Sequence, residues 1–190
     1  IYSSWTRLSG GLASLADTLK LIEIELVPRT TNEIIGTDEI DSLIGITLGT
    51  GLGVGIVLDR KLYLGSHKMA AEYGISPNND GGSWEDLLSS RAIRRLTKEV
   101  YGSIISPEKL FQLADKNDPV ASDIWNQFGD RLGIVLSQII NMLDPQVISI
   151  GGGLSYNFKH FYSQCEKRIF ESCPGFQKFN IKVVESKYKE

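Results

Sequence analysis

The stretch Leu43-Ile44-Gly45-Ile46-Thr47-Leu48-Gly49-Thr50-Gly51-Leu52-Gly53-Val54-Gly55-Ile56-Val57-Leu58 decides the fold. Leu43 to Leu48 is a short aliphatic run of strand length, and Val54 to Leu58 is a second one. The glycine-punctuated segment Gly49 to Gly53 joins them directly, leaving no room for a crossover helix. Asp59-Arg60-Lys61 then supplies a tight turn into Leu62 to Leu64, so the chain is expected to form a three-stranded antiparallel meander. The loop itself is neither of the common phosphate motifs. No Gly-Lys-Ser/Thr follows it, and Val54 to Leu58 is strand where a dinucleotide-binding turn would open a helix. Several backbone N–H groups on a concave turn with no Cβ in the way suit an anion, though a glycine hairpin serving chain reversal alone has the same sequence.

Downstream of the meander the periodicity becomes helical. Ser83, with Glu85 and Asp86 in the following turn, reads as the N-cap of a helix running to Val100 through Leu87, Leu88, Ile93 and Leu96. Ser106-Pro107 starts a short helix ending near Asn117, and Asp118-Pro119 starts the longest one. Its apolar face runs through Val120, Ile124, Phe128, Leu132, Val135, Ile139 and Met142 to Asp144-Pro145. Gly129 and Gly133 on that helix point to close packing against a neighbour. Val147 to Ile150 is a buried strand, Gly151-Gly152-Gly153 a turn, Tyr156 to Cys173 a helix, and Ile181 to Val184 a last strand. Upstream, Leu8, Leu12, Leu15, Ala16 and Leu19 mark a helix over 6–21, and Ile22 to Val27 alternates as a short strand.

Composition narrows the function classes. The chain has 190 residues, with 20 Lys plus Arg against 23 Asp plus Glu and a formal charge of −3; 42% of it is hydrophobic and 23% charged. This is ordinary globular composition, neither disordered nor fibrous. No apolar run approaches the roughly 20 residues a membrane-spanning helix needs. Arg91, Arg94 and Arg95 form the sole basic cluster, read as a solvated helix face, so these residues themselves are not expected to hold DNA. Cys165 and Cys173 lie more than two helical turns apart, too far for unstrained disulfide geometry, and are expected to be reduced thiols. The chain starts at Ile1 with no signal-peptide pattern. It is therefore expected to be part of a longer, cytoplasmic protein.

The glycine loops and the spacing between them carry a resemblance. Leu48-Gly49-Thr50-Gly51-Leu52-Gly53-Val54-Gly55-Ile56-Val57 follows the LGTGxGxGIV pattern of the ROK family of sugar kinases and sugar-responsive repressors, within the actin, hexokinase and Hsp70 superfamily. Leu64-Gly65-Ser66-His67-Lys68-Met69-Ala70-Ala71-Glu72-Tyr73-Gly74-Ile75 stands where the family has RGxxGxAGExGH. Asp144-Pro145-Gln146-Val147-Ile148-Ser149-Ile150-Gly151-Gly152-Gly153-Leu154-Ser155 is similar to its NPxVIxIGGGIS. The resemblance implies an α/β, ribonuclease H-like (actin-like ATPase) lobe: a mixed sheet with an antiparallel meander and packed helices. On this reading residues 1–42 end the N-terminal lobe and connect to the C-terminal lobe, and residues 43–190 are that C-terminal lobe, truncated at both ends relative to the family.

The resemblance also implies site residues. Gly49, Thr50, Gly51 and Gly53, together with Gly151, Gly152 and Gly153, stand where family members hold nucleotide and phosphate. Glu72 and Glu85 stand where they bind sugar hydroxyls. A carboxylate accepting two hydroxyl hydrogen bonds is a strong sugar clamp.

Two family features are changed. The family's zinc site needs a His and three Cys, but Ile75 replaces that His, Ser83 stands at the last Cys position, and the segment between Ile75 and Glu85 contains no cysteine, so no metal site is expected. In the best gapless register the family's catalytic Asp is Thr30, preceded by Arg29. A threonine cannot serve as general base near neutral pH, so no catalytic residue is assigned; a shifted loop would put Asp38 or Asp41 in its place.

The expected function is thus a non-catalytic sugar-sensing effector domain of a ROK-type transcriptional repressor. It would bind a small sugar or sugar phosphate without a cofactor, form a homo-oligomer, make no membrane contact and reach DNA only through a region outside this chain. The alternative is a fragment of an ATP-dependent sugar kinase of glucokinase or fructokinase type, for which ATP and Mg²⁺ would be required.

Overall fold

The computed structural model describes residues 40–186. The expected helix over 6–21, the strand at 22–27 and the Arg29–Thr30 register lie outside the described residues. Three strands open the described chain: β1 (Leu43–Leu48), β2 (Leu52–Leu58) and the two-residue β3 (Lys61–Leu62). Three helices follow, α1 (Ser90–Tyr101), α2 (Pro107–Asp115) and α3 (Pro119–Leu143). Then come β4 (Val147–Gly151), α4 (Phe158–Ser172), the single-turn α5 (Gly175–Lys178) and β5 (Lys182–Glu185).

The sheet order is β3-β2-β1-β4-β5. The β1–β2 and β2–β3 pairs are antiparallel, as the meander requires, and β1–β4 and β4–β5 are parallel. The predicted mixed sheet is therefore present, and the fold is that of a ribonuclease H-like lobe. The turn between β2 and β3 places both Asp59 (φ 52°) and Arg60 (φ 60°) in the left-handed region. That is the geometry whose twist matches a two-residue hairpin.

Alternation along the strands divides the sheet into two unequal faces. Ile44, Ile46 and Leu48 of β1, with Leu52, Val54 and Ile56 of β2 and Ile148 and Ile150 of β4, join the main core with the helices. Trp125 and Phe128 of α3 and Phe161 of α4 are fully buried there and meet ring to ring. On the other face Leu43, Val57 and Val147 form a smaller cluster with Ile40, Leu62 and Val184. Beyond that cluster the register aligns Gly45 with Gly55 and Ser149, then Thr47 with Gly53 and Gly151. The strip has almost no side-chain relief.

The helix expected from Ser83 onward is broken in two. Ser83 closes only one 3₁₀ turn, Trp84–Asp86, and the helix proper starts at Ser90 with Ser89 as its cap, the Ser89 hydroxyl accepting from Ala92 N at 3.3 Å. Ser83 and Ser89 each bond nearby backbone groups, and such local bonds compete with helix continuation, which accounts for the break. The long helix keeps its predicted limits. Asp118 Oδ1 accepts from Ala121 N at 2.8 Å, and Asp144, at φ 43°, ends the helix ahead of Pro145. Residues Gly153–Asn157, partly expected within the next helix, form a 3₁₀ turn before α4. Both cysteines are free and buried, and burial pushes the Cys165 thiol well above its ordinary value. No described helix is long and apolar enough to cross a membrane.

Candidate functional site

Because β1 and β4 are parallel, their carboxyl ends lie at the same edge of the sheet. Ligands of open α/β sheets bind at that edge. Four segments meet there. Gly49–Gly51 forms the hairpin tip leaving β1, and Gly152 and Gly153 form the turn leaving β4. The other two are single 3₁₀ turns, Tyr73–Ile75 and Trp84–Asp86. Gly53 and Gly151, grouped with the loops on sequence grounds, sit within β2 and β4 on either side of Thr47.

Close backbone approach fixes the arrangement. A Cβ at Gly74 would lie 2.1 Å from the Leu52 carbonyl oxygen, so the Tyr73–Ile75 turn is pressed against the start of β2. Gly152, at φ +85°, would meet the Leu48 carbonyl oxygen at 2.7 Å, which brings the β4 turn onto the end of β1. The amide of Ser90 donates to the Gly49 carbonyl at 2.7 Å and holds the first turn of α1 at the tip. Tyr73 reaches across to α3, where its hydroxyl donates to Gln138 Oε1; burial raises its pKa, partly offset by a hydrogen bond with Trp84.

Of the two predicted sugar-binding carboxylates, Glu85 lies against this tip, and Glu72 adjoins the turn that is pressed against Leu52. Glu72 immediately precedes the Tyr73–Ile75 turn, is half-buried, and makes no hydrogen bond or ion pair among the described residues. Glu85 lies within the second turn, and its Oε2 sits 2.6 Å from where a Cβ on Gly51 would be. Its other oxygen, Oε1, accepts from Arg91 at 3.3 Å. Asp86 is directed elsewhere. The backbone amide and hydroxyl of Ser83 donate to its Oδ2 at 2.9 and 2.7 Å and hold its pKa below the ordinary value.

Of the three arginines, all exposed, two turn out to brace the site. Arg91 pairs with Glu85, and Arg95 donates to the Asp86 carbonyl at 2.7 Å. The sequence reading of a solvated face missed these ties. The helical spacing placed the arginines together, but nothing local showed that the preceding turn would fold back beneath them.

The segment that replaces the family's zinc loop is closed by hydrogen bonds. Asn78 N donates to Gly82 O and Trp84 N to Ser76 O, both at 3.0 Å, and Asn78 Nδ2 donates to Ser83 O at 2.7 Å. Among the described residues no three His, Cys, Asp or Glu side chains come together to hold a metal ion.

The tip carries two local contacts of its own. The Gly49 amide is already committed to the Gly51 carbonyl at 3.0 Å, and the Glu85 carboxylate covers Gly51. By contrast, among the described residues no atom comes within 4 Å of a Cβ at Gly49 or Gly153 beyond their chain neighbours, so both positions border open space. What the arrangement offers is carboxylate acceptors beside an open, side-chain-free ledge, which suits hydroxyl donors.

The chain is 30% identical to the N-acetylgalactosamine kinase AgaK of Shewanella sp. (strain ANA-3), over 60% of this chain and 42% of the kinase. It is 24% identical to the xylose repressor of Caldicellulosiruptor bescii, over 80% of this chain and 44% of the repressor. The chain thus spans less than half the length of these curated relatives. Among solved structures, a ROK family glucokinase from Streptomyces griseus, in complex with glucose and AMPPNP, superposes with a TM-score of 0.66 at 26% identity, covering 78% of this chain and 56% of the glucokinase. The model of the ROK family matches residues 31–189, and the chain belongs to that family.

Proposed function

We propose that this chain is the sugar-sensing effector domain of a ROK-family transcriptional regulator, binding its sugar without turning it over. The observation that carries the reading is the placement of Glu72 and Glu85 on two short turns that lock onto one hairpin tip, through Gly74 on Leu52 and Glu85 on Gly51. Two carboxylates beside an open glycine ledge can each accept hydroxyl hydrogen bonds, and charged acceptors make the stronger kind.

Three further points support it. Thr30, in the gapless register, replaces the acid that would activate a sugar hydroxyl. The likeness to the xylose repressor extends over more of this chain than the likeness to AgaK does. The structurally similar glucokinase was solved with glucose bound.

In this reading residues 1–42 close an N-terminal lobe, residues 43–190 form the C-terminal lobe, DNA contacts are made outside the chain, and the protein acts as a homo-oligomer. Sensing needs no cofactor. The kinase alternative is favoured by the near letter-for-letter loop Leu48 to Val57. It would need Gly49, Thr50, Gly51, Gly53 and Gly151 to Gly153 to accept ATP and Mg²⁺, and a base other than Thr30.

The test is thermal unfolding of the intact protein against a panel of hexoses and amino sugars. A bound ligand stabilises by RT ln(1 + [L]/Kd), about 2.7 kcal/mol at a hundredfold excess over Kd. At least one sugar is expected to raise the midpoint, and Glu72→Ala is expected to abolish the shift. No shift with any sugar would overturn the proposal.

A further inference from the structure

Resting on the reading of Glu72 as a sugar acceptor, we infer that Tyr73 is the positioning residue behind it: the Tyr73 hydroxyl, bound to Gln138 on α3, holds the strained backbone at Ala71 and Glu72 in the shape that presents the Glu72 carboxylate. Tyr73 itself touches no sugar. It acts through its neighbour.

The backbone before Tyr73 is what needs holding. Ala71 lies at φ 68°, in the left-handed region that a Cβ disfavours. Glu72 follows at φ −68° and ψ 46°, and the Tyr73 amide donates back to the Ala71 carbonyl at 2.6 Å, so Glu72 is the centre of an inverse γ-turn. A left-handed alanine leading into so tight a turn persists only where the surroundings over-determine it, and such places cluster at ligand sites.

The hold comes from the far side of Glu72. Gly74 is pressed onto the Leu52 carbonyl, the Ser76 carbonyl accepts from Trp84 N at 3.0 Å, and the Tyr73 hydroxyl donates to Gln138 Oε1, 65 residues along the chain. The first two are backbone contacts that fix where the turn lies. The third is a side-chain tie to a long helix, and it can be cut without opening the core: Tyr73 is half-buried and Gln138 exposed, so water can replace the lost partner.

The test is calorimetric titration of the intact protein with the hexose and amino-sugar panel, comparing the wild type with Tyr73→Phe, Gln138→Ala, the double variant Tyr73→Phe/Gln138→Ala, and Tyr73→Phe/Ala71→Gly. Amide exchange over residues 71–76 is followed in the same proteins without sugar. Tyr73→Phe and Gln138→Ala are each expected to weaken the preferred sugar about fivefold, the size of one hydrogen bond's net contribution, and to speed exchange across the turn. The double variant is expected to lose no more than either alone, since both changes remove the same bond. Glycine takes the left-handed conformation at no steric cost, so Ala71→Gly is expected to bring Tyr73→Phe back to within about twofold of the wild type. A residue that merely filled space would not be rescued from the other side of Glu72. Unchanged affinity in Tyr73→Phe, losses that add in the double variant, or no rescue by Ala71→Gly would overturn the inference. If the wild type binds no sugar, the reading of Glu72 fails, and exchange alone decides the role of Tyr73: acceleration in Tyr73→Phe that Ala71→Gly reverses upholds its hold on the turn, and any other exchange pattern overturns it.

Discussion

Two pairs of glycines in this molecule do opposite things. On α3, a Cβ at Gly129 would lie 2.2 Å from the Phe161 carbonyl oxygen, and one at Gly133 would lie 2.6 Å from the Cys165 carbonyl oxygen. These two glycines let α3 and α4 pack backbone to backbone, next to the Trp125, Phe128 and Phe161 rings and the Arg168–Asp130 pair at 2.7 Å. At the carboxyl edge of the sheet, Gly49 and Gly153 have no atom of the described residues within 4 Å of their Cβ positions, chain neighbours aside. The first pair is a product of packing, and the second borders open space beside two carboxylates. Glycine content alone therefore does not mark a ligand site. What lies where the missing side chain would point does.

Substitution can break or sharpen this contrast. The largest effect is expected for Gly129→Ala, where the obstacle is backbone of the partner helix. Overpacking of this kind costs about 3 kcal/mol, read as a lower midpoint in denaturant unfolding. Gly152→Ala comes next. The residue combines φ +85° with the Leu48 carbonyl oxygen at 2.7 Å. With ψ 169° it sits in the positive-φ extended region that is essentially confined to glycine and costs another residue roughly 1–3 kcal/mol, so a loss of about 2 kcal/mol is expected in the same measurement, together with weaker sugar binding as the β4 turn lifts from β1. Gly49→Ala and Gly153→Ala should change stability least, within about 0.5 kcal/mol. At Gly49 the sugar-dependent thermal shift should nevertheless fall by at least half. If Gly49→Ala unfolded the chain as Gly129→Ala does, the contrast between packed and open glycines would be wrong.

Much of the fold was legible because its signals are local. Short aliphatic runs gave β1 and β2, and Asp59-Arg60-Lys61 gave the turn to β3. Asp118-Pro119 and Asp144-Pro145 bracketed α3 to within a residue. The failures were also local competitions. Ser83 and Ser89 both offer caps, and periodicity through Leu87 and Leu88 joined two elements that the second serine separates. The last strand is displaced by one residue and the third is shorter than expected, which is the usual looseness of element ends.

The site was legible in a different measure. Glu72, Glu85 and the glycine loops could be named from the motif pattern, and the structure brings them to one edge. The contact of Glu85 with Gly51, the brace from Arg91 and Arg95, and the latch from Tyr73 to Gln138 were not readable. Each depends on how turns far apart in sequence fold onto one another, and no spacing rule encodes that.

This ROK-family chain is proposed to recognise sugar and not to phosphorylate it. The most direct test is isothermal titration of the intact protein with ATP–Mg²⁺ and with the hexose and amino-sugar panel, followed by a coupled ADP assay on the same sample. The account predicts heat on addition of at least one sugar and no ADP. Sugar-dependent ADP release would contradict it, and would mean that a base other than Thr30 completes a working kinase site.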